Sequence, residues 1–107
     1  MSDNRDRGEA APPETAEMRR LRRRIDSLDR KIVGLLNERA ELGREVGRAK
    51  AEAGRRTVRD AEREREVLLR VTMANTGPMP QADLLTVYRR LIAVARALES
   101  RDRERDR

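Results

Sequence analysis

From Leu21 onward, apolar residues return at alternating spacings of four and three. They are Leu21, Ile25, Leu28, Ile32, Leu35, Leu42, Val46 and Ala49, with Arg39 in the place between Leu35 and Leu42. Nine successive positions on one seam predict a long amphipathic helix that packs as coiled coils do. Thr15 offers an N-cap and Gly54 is the first breaker after it, so the helix should run ~35–40 residues, roughly 55 Å at 1.5 Å per residue. A rod of that length cannot fold back on itself, and the pattern calls for a second chain. Gly54 to Arg59 reads as a loop and Asp60 as the N-cap of a second helix, with Glu62 and Glu64 in a first turn that the helix dipole favours for acids. Val67, Leu68 and Val71 mark its apolar face, and Asn75-Thr76-Gly77-Pro78 ends it. A third helix starting near Gln81 carries Leu84, Leu85, Tyr88, Leu91, Ile92, Ala95 and Leu98 on one stripe. No segment alternates with period two for long enough to make a strand. The fold class is all-α, one long helix and two shorter ones.

Composition narrows the chemistry. The 107 residues are 43% charged and 36% hydrophobic, without cysteine or histidine, and Tyr88 is the lone aromatic residue. No disulfide, Cys/His zinc site, thiol nucleophile or imidazole base is available, and one ring makes no platform for stacking nucleic-acid bases. So short and charged a chain buries little apolar surface alone, which again favours an oligomer. Residues 1–17 hold two arginines against five acids around Pro12 and Pro13 and are expected to be a disordered leader. Residues 101–107 alternate sign and are expected to be a frayed, solvated tail, leaving 18–100 as the helical domain. No signal-peptide core or membrane span is recognisable, so a soluble cytoplasmic protein is expected. Residues 18–100 carry twenty basic and twelve acidic groups. That excess suits an anionic partner, metabolite or nucleic acid, although an arginine-rich surface without a partner would look the same.

The informative charges are those on apolar faces, where an unpaired ion is costly. Arg39 occupies a seam position. Lys50, eleven residues later, returns to within about 20° of its direction and roughly 16 Å further along the axis, so the two could bracket a small anion. Glu64 precedes Val67, Leu68 and Val71 by three, four and seven; Glu99 follows Ala95 by four and Ile92 by seven. Both carboxylates should therefore point inward. Each has a structural alternative: Arg39 as a register residue, Lys50 as a snorkelling helix end, Glu64 as dipole compensation, Glu99 as an exposed end. Taken together, two cations and two carboxylates aimed into a helical bundle suggest a polar pocket.

The order and spacing of Leu21 to Asp29, Leu35 to Arg39, Val46 to Lys50, Val58 to Glu64 and Tyr88 to Glu99 resemble the all-helical, type II class of chorismate mutases. The resemblance covers about residues 18 to 100. It implies an intertwined homodimer of three-helix subunits that rearranges chorismate to prephenate in phenylalanine and tyrosine biosynthesis, with no cofactor or metal and no nucleic-acid or membrane partner. By the same resemblance Arg39 and Lys50 bind the substrate carboxylates and Lys50 also donates to the ether oxygen. Glu64 accepts from the substrate hydroxyl, with Arg63 beside it and the Asp60 backbone helping, while Ala95 and Glu99 complete the site. Arg22 matches the residue this family sends into the partner's site. Seventeen residues, roughly 25 Å, separate it from Arg39 along one helix, too far to share a small ligand within one chain. Ala95 stands where the family often has serine, so a hydroxyl contact is absent, and Thr57 replaces a frequent proline, which should loosen the loop.

A Claisen rearrangement needs no nucleophile or redox group. It needs a dicarboxylate held in its compact conformer and charge stabilised on the breaking ether oxygen. Arginine forks suit the first task and Lys50 the second. Glu99 can donate at the ether oxygen only when protonated, so turnover is expected to fall as pH rises and Glu99→Gln to flatten that dependence. Three alternatives stand beside this reading. Isochorismate pyruvate lyases share the fold and a similar arginine and lysine set, but look different around Asp60 to Glu64. A basic helical dimer gripping nucleic acid would need its cations on an outer face. A purely structural dimerisation domain leaves Glu64 and Glu99 without a purpose.

Overall fold

The computed structural model describes residues 11–56 and 59–106. The expected leader over residues 1–10 and the loosened loop at Thr57 lie outside the described residues. Three helices follow one another, α1 (Ala16–Glu52), α2 (Ala61–Ala74) and α3 (Gln81–Arg105), and the described residues include no strand. The order, number and relative lengths match the sequence pattern.

Local chemistry fixes the helix ends. Thr15 Oγ1 accepts from the Met18 amide at 3.1 Å, so α1 opens within the segment expected to be leader. At its far end the Arg55 amide donates to the Lys50 carbonyl at 2.9 Å and the Gly54 amide to that of Ala51 at 3.0 Å. This is a Schellman cap, and it requires the left-handed φ of +80° that Gly54 adopts without strain. Asp60 caps α2 by accepting from the Arg63 amide at 3.0 Å. Asn75 closes α2 and ties the turn to α3, its side-chain Nδ2 donating to the Met79 carbonyl at 3.0 Å and to Gln81 Oε1 at 2.8 Å.

The chain divides into two units, one ending at Leu36 and the other starting at Asn37, both of which include part of α1. In the first unit Met18, Leu21, Ile25, Leu28, Ile32 and Leu35 are between 43 and 63% exposed. The seam read from the sequence is thus an open apolar face. Arg22 pairs with Glu14 there at 2.5 Å, and Arg20 with Glu17.

In the second unit α2 packs on α3, and the Asn37–Glu52 part of α1 meets α3 through small residues. Gly43 lies where a Cβ would touch that of Ala95 at 4.0 Å, and Gly47 lies against the Glu99 side chain. Ile92 is the one buried hydrophobic side chain among the described residues. The third helix also continues to Arg105. Asp102 accepts from Arg44 Nε at 2.9 Å and Nη2 at 3.1 Å, and Arg103 Nη1 donates to the Arg55 carbonyl at 2.9 Å. The solvated end expected from alternating charge does not describe these two residues, because each finds a partner on or just after α1. The Arg44 hydrogen bond, aided by its charge, holds the Asp102 carboxyl below the usual range and the same contact raises Arg44.

Candidate active site

A cavity of about 350 Å³ opens in the second unit, walled by α1, α2 and α3. From α1 come Arg39 and Lys50, with Leu42, Gly43 and Val46 between them; Asp60, Arg63 and Glu64 come from the start of α2, and Ala95, Arg96 and Glu99 from α3. Seven of the eight residues singled out in the sequence therefore line one concavity. Arg22 does not; it belongs to the first unit.

The cations differ in how they are held. Arg39 makes no ion pair among the described residues, and its guanidinium lies 5.7 Å from the centroid of the Tyr88 ring. That contact orients the fork without neutralising it, leaving its donors for an anion. Lys50 Nζ lies 3.2 Å from Glu99 Oε2, with the two side chains 13% and 9% exposed. Arg63 lines the cavity; its guanidinium donates to Glu66 Oε1 at 3.1 Å and its backbone amide to Asp60 Oδ1 at 3.0 Å.

The carboxylates are enclosed as the spacing required. Glu64 is 17% exposed and lies between Arg59 at 3.6 Å and Arg96 at 3.5 Å. Among the described residues Glu99 is the buried charged one, 8% exposed, and it faces Lys50 and Arg103, the latter at 3.6 Å. Dipole compensation does not account for the enclosure of Glu64, nor does an exposed helix end describe Glu99. Glu99 thus sits between two cations, one facing the cavity and one behind it.

Four contributors do not emerge from the sequence pattern. Arg96 follows Ile92 by four and precedes Glu99 by three, so it lies on the α3 stripe, where its charge sets it apart from the apolar positions. Tyr88 reads as part of the apolar stripe, and nothing in spacing says which cation a ring will meet. Arg103 falls within the charged tail. Gly47 carries no side-chain signal, yet a Cβ there would lie 2.8 Å from Glu99 Cγ. Among the described residues no group of three or more metal-binding side chains is gathered, and no helix is long and apolar enough to cross a membrane.

Comparison with known proteins gives concordant matches. The family model described as chorismate mutase type II matches residues 21–100. The chain is 36% identical over 89 residues to the bifunctional chorismate mutase/prephenate dehydratase of Aquifex aeolicus, covering 79% of this chain and 24% of that protein. It is 34% identical over 90 residues to the protein of the same name from Stutzerimonas stutzeri, covering 80% of this chain and 25% of that protein. The chain thus spans about a quarter of the length of these curated relatives. Among solved structures, the form II chorismate mutase of Thermus thermophilus superimposes with a TM-score of 0.75 at 33% identity, covering 79% of this chain and 96% of that one.

Proposed function

Because the chain belongs to the chorismate mutase type II family, we propose that it rearranges chorismate to prephenate in the cavity described above. The observation that carries this is the meeting of Arg39, Lys50, Glu64 and Glu99, from three helices, around one space of about 350 Å³. Arg39, oriented by Tyr88, clamps one substrate carboxylate through its planar fork. Lys50 leaves Glu99 to meet the other carboxylate and the ether oxygen, where negative charge grows as the C–O bond breaks. Glu64, steadied by Arg59 and Arg96, accepts from the substrate hydroxyl. These contacts favour the compact diaxial conformer, in which the two reacting carbons lie within bonding reach.

The working unit is a homodimer. Its support is the open apolar face of α1, where covering the exposed half of each side chain with a second copy contributes about 0.7–1.5 kcal/mol. In that dimer Arg22 reaches the partner's cavity and supplies a further guanidinium. The test is direct. Purified protein incubated with chorismate should consume its ultraviolet absorbance and form prephenate, and Lys50→Ala should stop the reaction with helicity unchanged. Unchanged chorismate with the intact protein refutes the proposal.

A further inference from the structure

A buried carboxylate requires compensating charge, and Glu99 has two sources of it on one oxygen. Lys50 Nζ approaches Oε2 at 3.2 Å from the cavity side, and Arg103 Nη2 approaches the same atom at 3.6 Å from one turn further along α3. Both contacts are ion pairs without hydrogen-bond geometry at Oε2. The two cations are anchored differently. Arg103 Nη1 donates to the carbonyls of Arg55 at 2.9 Å and Arg56 at 3.4 Å, just after the α1 cap, so this guanidinium is fixed by backbone that Glu99 does not touch. Lys50 is the cation facing the cavity.

The mechanism asks Lys50 to turn its ammonium from Glu99 to the substrate. Were Lys50 the sole counter-ion, that turn would strand a buried anion, and the penalty would be subtracted from substrate binding. We propose that Arg103 is the standby counter-ion of Glu99, a positioning residue that keeps the carboxylate paired and so frees Lys50 for substrate. This rests on the function proposed above. Arg103 touches no reacting atom; it acts through Glu99.

The test is a double-mutant cycle on chorismate turnover. Arg103→Gln keeps a donor for the loop carbonyls and removes the charge; it should raise KM about 10-fold while kcat stays within about twofold, the signature of lost ground-state binding. In a Glu99→Gln background, which has no anion to strand, the same change should alter KM by less than about twofold. Arg103→Lys, which restores the charge, should recover most of the KM. Circular dichroism melts establish that each variant is folded. An equal effect in both backgrounds, a fall in kcat alone, or no recovery with lysine would assign Arg103 to holding the loop and overturn the inference. If the unmodified protein turns over chorismate but the cycle is flat, this inference alone fails; if it does not turn over chorismate, the functional reading fails and takes this inference with it.

Discussion

Gly47→Ala offers a sharp trial of the geometry, because two effects of known size oppose each other. On α1 the change should stabilise: glycine is about 0.8–1.0 kcal/mol less favourable than alanine in a helix interior. The new methyl, however, would sit 2.8 Å from Glu99 Cγ and 3.2 Å from its Cδ, against an ordinary contact of 3.4 Å or more. Glu99 must withdraw by at least 0.6 Å, or α1 and α3 must part. Overpacking of this kind costs roughly 1–3 kcal/mol, so net stability should fall by about 0–2 kcal/mol, far less than a buried truncation would cost. Activity should respond more strongly. A displaced Glu99 carries Lys50 with it, and a misplacement approaching 1 Å can cost about 100-fold, so kcat/KM should drop about 10- to 100-fold. Urea titration supplies the first quantity and chorismate turnover the second. A variant that gains the full helix-propensity stabilisation and keeps wild-type kcat/KM would show that Glu99 needs no seat against Gly47, and the close approach of α1 and α3 would lose its functional meaning.

Arg39→Ala should lower kcat/KM by at least about 10-fold, the loss of one charge-assisted contact, while leaving the far-ultraviolet circular dichroism unchanged. Loss of helix instead would return Arg39 to a register role. Asp102 bears on acid stability. Its carboxyl is held below the ordinary value of 3.8 by Arg44, so its contribution is complete above that value and lost as pH falls through the lower folded-state one. Asp102→Asn should accordingly reduce Tm at pH 7 and leave it unaltered in strong acid, as scanning calorimetry at the two extremes would reveal. If the proposed dimer forms, Ile25→Glu with Leu28→Glu should yield monomers in analytical ultracentrifugation and lower helicity by circular dichroism. Arg22→Ala and Arg39→Ala proteins, each impaired alone, should on mixing recover about a quarter of wild-type activity in the proposed dimer, since half the dimers are mixed and each has one intact site; no gain on mixing would mean that Arg22 and Arg39 serve the same site from one chain, and full activity of Arg22→Ala alone would mean that Arg22 serves none.

How much of this was legible depended on the kind of signal each residue carries. Periodicity located α1, and turn chemistry located Asp60 and Asn75, because helix ends are decided within a few residues. Arg39, Lys50, Glu64 and Glu99 stood out because a charge on an apolar stripe contradicts its neighbours, and contradiction is visible in one dimension. Arg103 and Asp102 did not stand out, since they sit among other charges where a buried pair and a solvated one read alike, whereas Arg96 lies on the apolar stripe of α3 and carries the same contradiction as Glu99. Arg44 and Asp102 are 58 positions apart and Arg103 and Arg55 are 48 apart, so their pairing depends on how α3 returns to α1. Gly47 was illegible for the opposite reason: its contribution is the absence of atoms.

The distribution of burial ties these observations together. Among the described residues the chain encloses a carboxylate, Glu99, as deeply as its one buried hydrophobic side chain, Ile92, while a full stripe of leucines and isoleucines stays open to water. For a free-standing polypeptide this inverts the usual ordering, in which apolar burial supplies the stabilisation that makes an enclosed charge tolerable. The inversion is what the proposed dimer resolves: a second copy on the α1 stripe furnishes the missing apolar burial. On this argument folding, assembly and catalysis are not separable steps. Diluting the protein below the dissociation constant of the proposed dimer should remove helicity and turnover at the same concentration, because the surface that would stabilise the fold is also the one that would bring Arg22 to the other subunit's cavity.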